Sequence, residues 1–186
     1  MMLSRRRLAP ARRPDLEPDE RMLAWAEVTD GGEVTHGVIV ATNRGLWTPG
    51  ARSRTGWSEL HRVTWSGTLL TVVAAGVVAD RDGYHIVADR PAATFELADP
   101  GRLPEQIRIR VNQSIGYTER VVLPGGGGAR VVARRVSGRD GLRWVVRYDE
   151  GIAWDTPAIG AATDAIVENS RAQCRTGGLS SPGVRR

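Results

Sequence analysis

The chain has one cysteine, Cys174, and no lysine among its 186 residues. A lone thiol excludes an internal disulfide framework and a cysteine-built zinc site, and it carries no mark of an oxidising compartment. Long apolar runs are also missing. The longest, LLTVVAAGVVA at 69–79, has 11 residues, against the roughly 20 that a bilayer-spanning helix needs. Aromatic residues make up only 5%, with a single Phe, yet six of the ten are Trp, and a few buried indoles anchor a core of this size. The start, MMLSRRRLAPARRP, holds paired arginines like an export signal. The apolar stretch of such a signal is absent, because ARRPDLEPDE comes next. A cytoplasmic location is the expectation.

A net charge of +5 and a pI near 10.5 suggest a nucleic-acid partner, but the charge is local. Arg5, Arg6, Arg7, Arg12 and Arg13 crowd the first thirteen residues, and Arg185 and Arg186 end the chain. Residues 14–184 hold 19 arginines against 21 acids. Within that body the charges segregate. Residues 102–147 carry ten arginines and three acids, whereas 148–170 carry five acids and no base.

The spacing of apolar residues and turn signals divides the chain. Residues 1–20, Arg- and Pro-rich, read as a disordered leader, and 174–186 as a disordered tail. From Arg21 the pattern is β, with strands expected at 22–28, 34–42, 45–48, 57–65, 69–75, 84–88 and 93–97, separated by turns such as Asp30-Gly31-Gly32 and Asn43-Arg44-Gly45. Seven short strands at near-regular spacing argue for a barrel or sandwich. In 101–115, Leu103, Ile107, Val111 and Ile115 recur every four residues, a helical stripe, with Pro104 suited to the first turn. The alternation of Ile107, Ile109 and Val111 with Arg108 and Arg110 leaves a strand as the competing reading. Residues 117–173 then read as a small β-β-β-α unit. Its helix, 157–173, would be capped by Thr156 and would turn Ile159, Ala162, Ile166 and Asn169 inward.

Four segments carry a resemblance: ERMLAWAEV, VIVATNRGLW, WSELHRVTW and, before the first helix, LADPGRLPEQ. In order and spacing, 21–116 resembles bacterial pleckstrin-homology-like (PH-like) domain proteins of unassigned function. The resemblance implies a mainly β, α+β chain: a seven-stranded PH-like barrel closed by a C-terminal helix over 21–116, followed by the small unit. It also implies a scaffold that binds a protein segment or a phosphoinositide. In the lipid-binding members, basic residues around the first hairpin hold the headgroup phosphates. Here that turn is TDGGE, with two acids and no base, so phosphoinositide binding is not expected.

Residues able to do chemistry are scattered. His36, His61 and His85 form no HExxH or H-x-H pair, and separate roles are the simpler reading, although strands could still bring them together. PGGGGARVV lacks the Lys and Ser/Thr of a phosphate-binding loop and joins two strands, so it reads as a flexible hairpin. Cys174 has no neighbouring His, and no G-x-S-x-G elbow occurs. Asp80/Asp82 and Asp149/Glu150 fit turns better than a catalytic pair. No enzyme activity, cofactor or metal is expected. What remains is a basic ridge, Arg130 and Arg134 on one strand with Arg143 and Arg147 on the next, together with Trp47 and Trp57 flanking the loop 49–56. The ridge could hold a phosphate backbone, or it could face the acidic helix or solvent. The tryptophans could line a peptide groove or pack in the core. The reading is a non-enzymatic binding or adaptor protein with a protein partner. The alternative is an RNA- or ribosome-associated factor that uses the ridge and the Arg-rich start.

Overall fold

The computed structural model describes residues 7–176, the side chain of His36 excepted. In chain order the strands are β1 (Met22–Asp30), β2 (Glu33–Thr42), β3 (Gly45–Trp47), β4 (Thr55–Gly56), β5 (Leu60–Ser66), β6 (Leu69–Arg81), β7 (Tyr84–Asp89) and β8 (Ala93–Leu97). Helix α1 (Leu103–Ser114) follows, then β9 (Ile115–Val122), β10 (Gly128–Arg135), β11 (Leu142–Tyr148) and helix α2 (Pro157–Thr176). The chain is mainly β and divides into two compact units: 7–74 with 91–112, and 75–90 with 113–176.

In the first unit the strands lie in the order β4-β3-β2-β1-β8-β6, with β5 on β6, and every pair is antiparallel. Ile39 and Ala41 of β2 join Leu46, Trp57, Leu60, Leu70 and Leu97 in one buried cluster. The four-residue stripe of α1 completes it: Leu103 and Ile107 are buried and Val111 packs against the cluster, while Ile115 already opens β9. Pro104 stands in the first turn, where a missing N–H costs nothing. The helix therefore prevails over the strand suggested by the alternating arginines.

The expected closed barrel is not formed. Among the described residues, at the two ends of this sheet, β4 pairs only with β3 and β5 only with β6. The cause is local. The loop 49–54, Pro-Gly-Ala-Arg-Ser-Arg, is no strand former, and β4 is two residues long before the chain turns through Trp57–Glu59 into β5. The strand expected at 84–88 is present as β7, but it belongs to the second unit.

Residues 1–6 of the expected leader lie outside the described residues. Residues 7–20 are bound as a strap across β1, β2 and β3. Leu8 is buried, and Arg12 pairs with Glu27 and donates to the carbonyls of Thr35 and Gly37. The motif Glu17-Pro18-Asp19-Glu20 is the strap's clasp. Glu17 and Asp19 hold Arg44, and Glu17 also takes Arg54 at 2.9 Å. The Glu20 carboxylate is fully buried and accepts from Thr42 Oγ1 at 2.6 Å, Trp47 Nε1 at 3.0 Å and Arg54 at 3.1 Å. A buried carboxylate survives only when paired and hydrogen-bonded in this way.

The second unit holds the far half of β6, then β7, β11, β10 and β9 in that order. The β7–β11 pair is parallel and the others are antiparallel. One face of this sheet, with Ile86, Val131, Ala133, Trp144 and Val146, packs with Val167 of α2. Between Leu123 and Gly128 the chain reverses through Gly125, Gly126 and Gly127, whose φ values of 83°, 94° and 77° only glycine adopts readily in succession. That need explains the glycine run.

The helix expected at 157–173 reaches Thr176, so the expected loose tail starts later, and 177–186 lie outside the described residues. Its most buried stripe is Gly160, Thr163, Val167 and Ser170; of the expected set, Ile159 and Ile166 pack half-buried against the same core, whereas Asn169 is exposed. Thr156 also departs from expectation: its hydroxyl donates to the Ala153 carbonyl, while its own carbonyl receives the Gly160 N–H. The polar stripe has a cause on the sheet. All three tyrosines of the chain face α2. Tyr84 donates to Asp164 at 2.6 Å, Tyr148 to Thr163 at 2.7 Å, and Tyr117 to Glu119 at 2.7 Å, which also accepts from Ser170. A purely apolar helix face would strand these hydroxyls.

Two predictions follow from these contacts. Glu20→Ala leaves buried donors without an acceptor and should cost about 2 kcal/mol, read from urea unfolding; an unchanged midpoint would show that the clasp does not hold the strap. Burial pushes the hydroxyls of Tyr84, Tyr117 and Tyr148 above the ordinary tyrosine range, helped in Tyr84 by Asp164 and in Tyr117 by Glu119. Their contribution is therefore complete below about pH 10 and is lost as the pH climbs above it. Tyrosinate absorbance should emerge together with unfolding; tyrosines that ionise at their ordinary pKa in a folded protein would contradict this.

Candidate functional site

The strand β5 is inserted antiparallel to β6, with Val63 opposite Val72, Thr64 opposite Thr71 and Trp65 opposite Leu70. Alternation along a strand sends Val63 and Trp65 to one face and Arg62 and Thr64 to the other. Accordingly Val63 and Trp65 are half-buried against the core, whereas Arg62 and Thr64 are exposed. The α1 stripe approaches the same face. Between them lies a cavity of about 350 Å³ with a floor of Val63, Trp65, Leu70, Ile107 and Val111. That volume is enough for a few side chains or a small ligand. Glu105, Arg108 and Asn112 of α1 stand at its rim. The Trp65 indole N–H donates to the Gly67 carbonyl at 2.5 Å, which fixes the ring.

Beside this groove runs the outer side of β5. Among the described residues β5 pairs with β6 alone, so over Arg62–Ser66 the backbone groups that point away from β6 offer a row of donors and acceptors for one more strand. Neither the groove nor this edge was expected. The alternation in HRVTW and the stripe of α1 did mark the lining residues, but strand spacing carries no information on which strand ends a sheet.

A second, wider groove of about 890 Å³ lies in the first unit between strap residues 11–15 and residues of β2, β3 and the loop after it. Trp47 lines it, but its indole N–H is committed to Glu20. Trp57 is 3% exposed and donates to the Thr42 carbonyl at 3.1 Å. Trp57 is thus a core residue, and Trp47 is a half-buried anchor of the clasp.

The four ridge arginines do share a sheet face. Arg130 stands opposite Arg147 and Arg134 opposite Arg143. They do not form one exposed ridge. Arg134 is 6% exposed and donates to Ser114 Oγ at 2.9 Å, and its pKa is lowered by burial. Arg143 is half-buried, and Arg147 is paired with Asp89 at 2.6 Å. Arg130 alone of the four is exposed without an ion pair among the described residues. The acidic helix is not its counterpart, because α2 lies on the opposite face of the sheet with the tyrosines.

Among the described residues no three His, Cys, Asp or Glu side chains gather as a metal site. His61 lies on β5 and His85 on β7, where it meets Asp80; the side chain of His36 is outside the described residues. Cys174 is half-buried on α2. No described helix is long and apolar enough to cross a membrane. Set against protein families, curated proteins and solved structures, the chain matches none.

Proposed function

We propose that the protein is a non-catalytic binding module whose first unit is PH-like and takes an extended segment of a partner protein as an added strand along β5. The observation that carries this reading is the juxtaposition of an unfilled strand edge with an apolar groove. Main-chain bonds to such an edge supply affinity for any extended segment, and a pocket beside it selects the side chain that enters. The floor of Val63, Trp65, Leu70, Ile107 and Val111 suits a large aliphatic or aromatic side chain. Arg108 on the rim suits an acidic residue beside it. The arrangement of antiparallel strands with α1 after the last of them supports the PH-like assignment, and the acidic first turn argues against a lipid headgroup.

The alternative, an RNA- or ribosome-associated factor, draws on the ridge of Arg130, Arg134, Arg143 and Arg147 and on the Arg-rich start. With Arg134 buried and Arg147 paired, the ridge offers chiefly Arg130; of the start, Arg12 is engaged by Glu27 and Arg13 by the Leu8 carbonyl, and Arg5 and Arg6 lie outside the described residues.

Peptides selected from a displayed random library against the full chain should share a large apolar residue. Titrated into the labelled protein, they should shift backbone amide signals of β5 and α1. Val111→Glu, at a half-buried lining position, should weaken them by about tenfold or more while the far-ultraviolet circular dichroism stays unchanged. Selected peptides whose shifts fall only on the strap groove, or that bind the variant as well as the parent, would refute the site.

A further inference from the structure

The second unit carries an arginine row that strand addition to β5 does not use. Arg120 on β9, Arg130 on β10 and Arg147 on β11 are register partners, so their side chains leave the same sheet face side by side. With adjacent strands about 4.8 Å apart, three cationic stems line up over roughly 10 Å. Like charges directly opposite each other destabilise a sheet, and here two such contacts share one residue. The outer two are relieved. Arg120 grips Asp149 through two bonds, at 3.1 and 2.6 Å, and Arg147 donates to Asp89 at 2.6 Å. Arg130, between them, is exposed and has no acid of its own among the described residues. The half-buried Arg143 lies four residues from Arg147 on the same strand face and also lacks an ion pair among the described residues.

We infer that Arg130, flanked by Arg120 and Arg147, is the anchor of a compact anion site that takes the phosphate or diphosphate group of a small molecule. Guanidinium forks match phosphate oxygens in geometry as well as charge. Two observations separate this from a nucleic-acid surface. Asp149 and Asp89 engage the outer arginines at both ends of the row, so a chain of phosphates continuing along it would meet carboxylates. No Trp, Tyr or Phe of β9, β10 or β11 faces this way to stack a base, because Tyr117, Trp144 and Tyr148 belong to the face packed with α2.

Calorimetric titration of the full chain tests the inference, with inorganic phosphate, pyrophosphate and a single-stranded oligonucleotide as separate probes. Pyrophosphate should bind saturably and more tightly than phosphate. Arg130→Gln should weaken it about tenfold or more, and Arg130→Lys, which keeps the charge but not the fork, should retain part of it. The melting temperature of Arg130→Gln should stay level or rise, since the change removes like-charge contacts. The site is rejected if neither phosphate nor pyrophosphate binds saturably, if Arg130→Gln binds them as well as the parent, or if that variant is less stable, which would make Arg130 structural. An oligonucleotide that binds more tightly than pyrophosphate, with a steep salt dependence, would replace the compact site with a polymer surface.

Discussion

The outer backbone edge of β5 over Arg62–Ser66, which pairs with no further strand among the described residues, is the constraint on which the proposed function of this protein depends. A strand edge has unmet bonding capacity whatever its sequence, and folded proteins normally cover, charge or shorten such edges. Here β4, after a Pro-, Gly- and Arg-rich loop, is only two residues long. Among the described residues the sheet of the first unit ends on β4 and on β5 and is not closed. Charge guards one face of that edge through Arg62, while the other face looks into the apolar space beneath α1. An edge with one polar and one apolar flank discriminates between segments by the side chains they turn inward, which a bare edge cannot do.

The two units solve the helix-on-sheet problem differently. In the first, α1 docks by apolar contact: Leu103 and Ile107 are buried to 1% exposure or less. In the second, α2 docks by a mixture, with Val167 in the core and three tyrosine hydroxyls bonded to partners on the helix or beside it. Such bonds are directional, so they fix the rotation and register of α2 more tightly than apolar packing alone. Glycine serves the same end at Gly160, where a Cβ would come within 2.8 Å of the Arg81 guanidinium. A similar division holds for the strap. Its anchor is the buried Leu8, and its position is set by carboxylates that reach Arg44, Arg54, Thr42 and Trp47.

Local pattern was legible in the sequence and partner identity was not. Leu103, Ile107 and Val111 announced α1, and the turn glycines marked the hairpins. The three strands and final helix of the second unit were also readable, because each depends on residues a few positions apart. YHIVA was recognisable as a strand, but nothing within it says that β11, some sixty residues later, is its parallel neighbour. The strap was hidden for the same reason. DLEPDE looks like a solvated acidic run until Arg44 and Arg54 are brought to it. The apolar periodicity of α2 marked Ile159 and Ile166, which do pack on the core, but the most buried stripe lies one position on, where the tyrosines demand polar partners. The arginine pattern on β10 and β11 was read correctly for face. It was misread for exposure, since burial of Arg134 depends on Ser114 and its surroundings.

Amide hydrogen exchange of the free protein, resolved residue by residue along β5, tests the open edge most directly. Within Arg62–Ser66, amides directed toward β6 should be protected, and those directed away from it should exchange at rates close to those of an unstructured chain. Uniform protection along the whole strand would mean that its outer side is already occupied, and strand addition at β5 would have to be abandoned.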